Sequence, residues 1–342
     1  YLGLYKSNDE GENWNLQSDT PNLLTWSTNG NGNDGQGWYD LALAISPFNE
    51  NEVYVGGINT WRSTDGGLSW NIISHWYGSN GVSYKHADEH VLKFHPNGTL
   101  YSGNDGGIYK LINSNWTDLS DGLQITQFYS LGVSQNNTEL VITGSQDNGT
   151  LLMNNDNEWD AILGGDGMEC IIDYTDDNIM YAEYYYGEVY KSVDAGNEFY
   201  NITPNGQEGA WETPYVIDPN NNNILYIGYQ DVWKTIDGGN SWFEISDNLT
   251  NGEDLDELAV SASNNNIILA SRNSNLFKTS NGGEDWDMIS SDLPNKVISY
   301  ITIHPSNPDK IWVSFSGFTS NEKVYHTEDG GNSWENISYN LP

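Results

Sequence analysis

Residues 235–242 read Thr-Ile-Asp-Gly-Gly-Asn-Ser-Trp, and variants of this octapeptide recur along the chain. Each has the form Ser/Thr-x-Asp/Asn-x-Gly-x-x-aromatic, which we call the box. Glycine supplies the positive φ of a tight turn, and the Asp or Asn side chain accepts hydrogen bonds from nearby amides. The sequence therefore predicts a structural role for the acid or amide of each box. The six boxes contain Asp9, Asp65, Asp194, Asp237, Asn281 and Asp329.

The aromatic residue that closes each box marks a long-range repeat. Trp116 and Trp159 continue the series after Asn-rich turns in which the box has decayed. Successive aromatic residues of the series lie 40 to 56 residues apart, close to the ~40–50-residue period of propeller blades. The spacing predicts one repeated β-sheet unit per box.

Four short segments of alternating character fill each interval between boxes. In one unit they are 40–47, 52–57, 61–63 and 70–73, and six similar units follow. Residues 40–342 thus predict seven complete blades, and residues 1–17 supply only the outer two strands of another. We expect an all-β protein, a single β-propeller domain spanning 1–342 with four-stranded antiparallel blades. It would be eight-bladed with an incomplete first blade; a seven-bladed ring with an accessory hairpin is the alternative.

Composition narrows the function. The 342-residue chain has 48 acidic and 12 basic residues, a formal charge of −36 that repels nucleic acid and anionic membranes. No apolar run approaches the ~20 residues of a membrane span, so membrane insertion is not expected. Cys170 is the only cysteine, which leaves no internal disulfide. The sequence contains no Gly-x-Ser-x-Gly, His-Glu-x-x-His or phosphate-loop motif.

Strand direction sorts the loops between two faces. The boxes join strands three and four, so the loops between blades and the turns between strands two and three lie on the opposite face. That face is expected to carry the site, because its turns are rich in glycine and acid. Paired carboxylates could catalyse glycoside hydrolysis; the alternative is that each accepts amide hydrogen bonds in its own turn. The catalytic candidates are Asp40, Asp105, Asp147 and Asp166.

His86, Asp88 and His90 alternate along the chain, so on an extended strand they would point to one side. Imidazole and carboxylate are common metal ligands, and these residues are the candidates for a divalent cation, calcium or a transition metal. Two alternatives stay open: hydrogen bonds that buttress the strand, and direct contact with a ligand. No other cofactor is indicated.

Aromatic residues cluster in loops of the same face. Exposed rings beside carboxylates suit stacking against sugars and equally suit a protein interface. In the run 184–186, three consecutive tyrosines cannot all face inward. The ligand-binding candidates, apart from His86 and Asp88, are Trp38, Tyr39, Trp76, Tyr77, Tyr185 and Trp211, with Tyr184 and Tyr186 as their neighbours.

The boxes resemble those of the Asp-box, or BNR-repeat, propellers, and the likeness extends over nearly the whole chain. Residues 86–90 (His-Ala-Asp-Glu-His) and 104–109 (Asn-Asp-Gly-Gly-Ile-Tyr) look like those of secreted proteins of marine Bacteroidetes described as sortilin-like or glycosyl-hydrolase-like. The resemblance implies the propeller fold and a secreted or cell-surface location. It implies no single activity, because the same fold carries many.

Departures from the better-known relatives limit the choice. Asp-box sialidases use three arginines, and this chain has only Arg62 and Arg272, so sialidase activity is excluded. Family 74 xyloglucanases hold substrate between two propellers, and sortilin-type receptors add a disulfide-rich module that is not seen after Trp334. We expect a propeller domain cut from a longer protein that binds polysaccharide or protein. A glycoside hydrolase or lyase, or a structural spacer, is the alternative.

Overall fold

The computed structural model describes residues 1–78, 81–153 and 158–341, and its regular structure is almost entirely β. One short 3-10 turn, Tyr185–Gly187, is the exception among these residues. The chain divides into two compact units, Tyr1–Ile125 and Thr126–Pro342. Within the described ranges, no helix has the length and apolar character needed to cross a membrane.

The first unit contains one two-stranded and two four-stranded antiparallel sheets. The two-stranded sheet pairs β1 (Leu4–Lys6) with β2 (Asn15–Ser18). The next sheet consists of β3 (Ala42–Ile45), β4 (Val53–Gly56), β5 (Thr60–Ser63) and β6 (Asn71–Ser74). The third consists of β7 (Glu89–Phe94), β8 (Leu100–Asn104), β9 (Gly107–Ile112) and β10 (Asn115–Asp118).

The second unit contains five four-stranded sheets. Its first two are β11 (Ser130–Val133), β12 (Val141–Ser145), β13 (Gly149–Met153), β14 (Trp159–Leu163), and β15 (Gly167–Ile172), β16 (Met180–Tyr184), β17 (Glu188–Ser192), β18 (Tyr200–Asn201). The third and fourth are β19 (Tyr215–Ile217), β20 (Leu225–Gly228), β21 (Val232–Thr235), β22 (Phe243–Glu244), and β23 (Glu257–Val260), β24 (Ile268–Arg272), β25 (Asn275–Thr279), β26 (Asp287–Met288). The last is β27 (Ile298–Ile303), β28 (Ile311–Phe315), β29 (Val324–Thr327) and β30 (Glu335–Asn336).

In every four-stranded sheet the strands pair in chain order, which is the up-and-down order of a propeller blade. The predicted fold class, an all-β propeller of four-stranded antiparallel blades whose first blade is incomplete, is confirmed. One detail differs from the prediction: the box aromatic lies just before the fourth strand rather than opening it, as at Trp70 before β6 and Trp242 before β22. The Asn-rich turn at 154–157, before Trp159, lies outside the described residues.

The box is a closed hydrogen-bonded turn. In residues 235–242, Thr235 Oγ1 donates to Asp237 Oδ1 (2.8 Å) and accepts from the amides of Asp237 (3.3 Å) and Gly239 (3.0 Å). Asp237 Oδ1 also accepts from the Ser241 amide at 2.9 Å. Hydrogen bonds from the hydroxyl and amide of Ser241, followed by that of Thr235, lower the pKa of Asp237 to about 2. The hydroxyl-to-amide bonds at the equivalent glycine recur in the other five boxes.

The box tryptophan connects one blade to the blade before it. Trp242 Nε1 donates to the carbonyl of Ile202 at 2.7 Å, just beyond the last strand of the preceding sheet. The same bond joins Trp286 to Ile245 and Trp334 to Ile289, each at 2.9 Å. Buried clusters of side chains from neighbouring sheets form the core of each unit. The repeat therefore specifies both the turn inside a blade and a contact between consecutive blades.

Replacing Thr235 with valine should lower the free energy of unfolding by about 2 kcal/mol, because it leaves the buried Gly239 amide without its acceptor. Valine keeps the shape of threonine, so packing changes little. Thr235→Ser keeps the hydroxyl and is the matched control. Urea unfolding followed by tryptophan fluorescence measures both variants; a valine variant as stable as the serine variant would contradict a hydrogen-bonding role.

Candidate functional site

In the first unit the backbone turns sharply at Asp88, which has a φ of 66°. Strand β7 begins only at Glu89, so His86, Asp88 and His90 do not form one extended strand, and the prediction that they point to one side is wrong. Aspartate tolerates this left-handed conformation better than most residues. The three side chains make separate contacts: the His86 ring packs where Gly106 has no Cβ, Asp88 meets Gln36, and His90 meets Asp105.

Asp40 and Asp88 form a carboxyl pair joined by Gln36. The Gln36 amide donates to Asp88 Oδ1 at 2.6 Å and to Asp40 Oδ2 at 3.4 Å. Burial, followed by the charge of Asp88, raises the pKa of Asp40 to about 7. Within the described part of the chain, Asp40 Oδ1 has no hydrogen-bond partner, and the side chain is fully buried. Asp40 can act on a ligand only through Asp88.

Asp105 lies between Tyr39 and His90. The Tyr39 hydroxyl donates to Asp105 Oδ2 at 2.8 Å, and His90 Nε2 lies 2.6 Å from Asp105 Oδ1. The rings of Tyr39 and His90 meet edge to face, with centroids 5.0 Å apart. Trp38 packs beside Tyr39 and is 86% exposed. This group offers a rigid polar centre beside an exposed indole.

Trp76 and Tyr77 form a second aromatic patch in the first unit. Their rings meet edge to face at 4.4 Å, and His75 packs against both. Both rings are exposed, as predicted for a loop that could contact a ligand. Residues 79 and 80 of the same predicted loop lie outside the described residues.

In the second unit, four aromatic side chains from distant segments meet at the end of the blades opposite the boxes. We call Tyr129, Tyr185, Tyr186 and Trp211 the aromatic platform. Tyr185 and Trp211 stack with centroids 5.3 Å apart and an interplanar angle of 4°. Tyr186 meets the Trp211 ring edge to face at 5.4 Å, and Trp211 Nε1 donates to the Tyr129 hydroxyl at 3.2 Å. Tyr184 packs against the platform through Tyr185, at 4.3 Å.

The platform is held on an unusual turn. Tyr186 has a φ of 61°, a conformation that is unfavourable for a bulky residue and is often found at binding sites. Two backbone hydrogen bonds hold it there, from the Tyr186 amide to the Trp211 carbonyl (3.2 Å) and from the Gly209 amide to the Tyr186 carbonyl (2.9 Å). Despite this anchoring, Tyr186 is 41% and Trp211 36% exposed.

Asp147 and Asp166, predicted as catalytic candidates, lie together in the second unit. Asp166 Oδ1 accepts a hydrogen bond from the Asp147 amide at 2.7 Å, and Asp147 has a φ of 63°. Asp166 therefore satisfies a backbone amide of the neighbouring turn, as in the structural alternative for these acids. Asp40, Asp88 and Asp105 belong to the first unit, where they form the two groups described above.

The sequence gave no warning of a group of buried acids in the second unit. We call Glu169, Glu183, Glu212 and Glu257 the glutamate cluster. Glu183 Oε1 accepts from the Thr213 amide (2.7 Å) and Oε2 from the Glu169 amide (3.3 Å), so it fixes two segments. Burial, followed by the charge of Glu212, raises the pKa of Glu169 to about 7 and that of Glu257 to about 8. Burial also raises the pKa of Glu183 and Glu212.

The residues found only in the structure share one property: their partners are distant in sequence. The glutamates are four among 48 acidic residues, and no local motif separates them from the rest. The same holds for the buried ion pair of Lys85 with Glu89, which the Ser102 hydroxyl joins by donating to Glu89 at 2.6 Å. Trp211, by contrast, was accessible to prediction, because an aromatic residue in a polar loop is a recognisable signal.

The fold and these groups define a β-propeller with aromatic and acidic side chains at the blade ends opposite the boxes. No protein-family model matches the chain, and no curated protein matches it. Solved structures with similar folds include YCF48 bound to D1 peptide, with 11% identity, coverage of 87% of this chain and 81% of that chain, and a TM-score of 0.46.

Two further similar structures are parts of larger proteins. The extracellular domain of the putative hybrid two component system BT4673 from B. thetaiotaomicron has 15% identity and a TM-score of 0.47; the match covers 83% of this chain and 37% of that one. For the Niastella koreensis GH74 enzyme the values are 14% and 0.27, over 98% of this chain and 66% of that one. The present chain thus spans less than two thirds of either protein.

Proposed function

We propose that this protein is an extracellular binding module of the Asp-box type that recognises a polysaccharide through the aromatic platform. The observation that carries the proposal is the parallel stack of Tyr185 and Trp211 beside the strained, exposed Tyr186. Hydrophobic burial alone would not place these rings at the surface. Pyranose rings have apolar faces that pack on aromatic rings, while their hydroxyls bond to nearby polar groups.

The surroundings of the platform support this choice. The Tyr129 hydroxyl accepts from Trp211 and donates to Gln146 Oε1 at 2.8 Å, so polar groups lie at the edge of the rings. The exposed Trp38, beside Tyr39 and Asp105, offers a similar combination in the first unit. Rigid aromatic rings lose little conformational entropy on binding, which favours them as ligand contacts.

Trp211→Ala should weaken binding of a soluble polysaccharide about tenfold or more, because a central aromatic contact commonly dominates a binding interface. Affinity electrophoresis through gels containing neutral, acidic or amino polysaccharides identifies the ligand, and calorimetry measures the loss. Phe243→Ala is the matched control, since Phe243 is an exposed aromatic residue on the outer strand β22. Equal weakening by both variants, or binding of none of the polysaccharides, would refute the proposal.

Glycoside hydrolysis is the second candidate, and one observation favours it. Asp40 lies beside Asp88, and a carboxyl group whose pKa is raised to about 7 can hold a proton near neutral pH, as a general acid does. Asp40 itself is buried, so Asp88 would have to contact the substrate. Reducing ends released in the binding experiment, and lost in Asp88→Asn, would make the protein an enzyme.

A further inference from the structure

The glutamate cluster borders the aromatic platform. Glu212 directly follows Trp211, and Glu169 accepts a hydrogen bond from the Ser130 hydroxyl, next to Tyr129 of the platform. Glu183 draws these segments together by accepting amide bonds from both Thr213 and Glu169. A ligand stacked on Trp211 would therefore lie beside carboxyl groups.

The cluster has an unmet demand for positive charge. Glu169, Glu212 and Glu257 repel one another, and this adds to the effect of burial on the pKa of Glu169 and Glu257. Arg272, on β24 beside β23, is held by Glu253 at 3.0 Å and by Asp256 at 2.8 Å. A cationic ligand would relieve the repulsion, because opposite charges favour the ionised carboxylate.

Ser271 provides independent support. It lies directly opposite Glu257 in the antiparallel pair β23–β24, so the two side chains leave the same face of the sheet. Its side chain is fully buried, and within the described residues its Oγ has no hydrogen-bond partner. A buried hydroxyl without a partner is costly, and it indicates a polar group supplied from elsewhere.

A single metal ion does not fit this arrangement. Among the described residues, three of these glutamates do not bring ligand atoms within 4.8 Å of one another. The cluster is therefore wider than one coordination sphere. Several ammonium groups, each with three hydrogen-bond donors and spaced along a chain, match a set of separated carboxylates better.

We infer that the aromatic platform and the glutamate cluster together bind a polysaccharide of amino sugars, with sugar faces on Trp211 and Tyr186 and ammonium groups at Glu212 and Glu257. The inference rests on the proposed function and specifies its ligand class. The excess of acidic over basic residues in the chain agrees with it, because a uronic-acid or sulfated polysaccharide would be repelled.

The test compares two hexasaccharides of equal length, one of glucosamine and one of N-acetylglucosamine, by calorimetry near pH 6 in about 0.3 M salt, which screens the general surface charge. We expect the glucosamine form to bind about tenfold or more tightly. Glu212→Gln/Glu257→Gln should abolish that preference, whereas Trp211→Ala should weaken both sugars. Glu284→Gln, which removes an exposed glutamate of the second unit, should keep the preference.

The outcomes separate the two ideas. Equal affinity for the two sugars, sensitive to Trp211→Ala, would overturn the inference and leave polysaccharide binding intact. Binding of neither sugar, or of any other polysaccharide, would remove the proposed function itself. A lysine hexapeptide that binds as tightly as the glucosamine hexamer, with the same loss in the double variant, would overturn the polysaccharide assignment in favour of a cationic peptide.

Discussion

Gly144→Ala should lower the free energy of unfolding of the second unit by about 3 kcal/mol or more, the upper range for overpacking a core. A Cβ at this position in β12 would lie 2.0 Å from the Met168 carbonyl oxygen and 2.5 Å from the Gly167 carbonyl carbon, both in β15. These are backbone atoms, so no side chain can move aside. Relief requires separating two neighbouring sheets, which are buried against each other.

Gly164→Ala is the control for this prediction. Gly164 lies in the loop just before β15, and a Cβ there would meet nothing within 4 Å. Its expected effect is within about 0.5 kcal/mol, as for ordinary surface substitutions. Urea unfolding monitored by tryptophan fluorescence gives both midpoints. Similar midpoints for the two variants would show that β12 and β15 do not approach each other as described.

Glu257→Gln should stabilise the protein at alkaline pH and leave it unchanged in acid. The pKa of Glu257 is about 8 in the folded protein, against an ordinary value of 4.5, first because of burial and then because of Glu212. Between those values the folded state holds a proton that the unfolded state has released. Stability contributed by the neutral group is therefore present below about pH 4.5 and is lost as pH rises to about 8.

Glutamine keeps the shape of a protonated glutamate and never ionises. At about pH 9 the variant should exceed the native protein by on the order of 3 kcal/mol, since each unit of pKa shift corresponds to about 1.4 kcal/mol. At about pH 4 the two should unfold at the same urea concentration. Glu284→Gln removes an exposed glutamate and should follow the native protein across the series. A Glu257→Gln curve parallel to the native one would show that Glu257 is not buried among acids.

Much of the fold followed from local pattern. Residues 235–242 contain the donors and acceptors of their own turn, and these bonds connect residues no more than four positions apart. The period of the box therefore predicted the blades and their strand order. The prediction was least accurate at strand ends, where the box tryptophan turned out to precede its strand and bond to the preceding sheet.

The candidate site was only partly accessible. Trp38, Tyr39 and Trp211 were identified because aromatic residues in polar loops are conspicuous, and Asp88 and Asp105 because acids in glycine-rich turns are. The alternation of His86, Asp88 and His90 misled, since it assumed an extended backbone where Asp88 is left-handed. Sequence spacing predicts direction only while φ stays in one region.

The sequence by itself determined the turn chemistry, the strand order and the acidic character, because each depends on neighbours in the chain or on simple counts. Tertiary structure alone decided that Tyr185 stacks on Trp211 and that Glu169, Glu212 and Glu257 share one environment. Those residues are brought together by packing between separate blades. A pKa shift and a ring stack depend on distances in space, which the residue order does not contain.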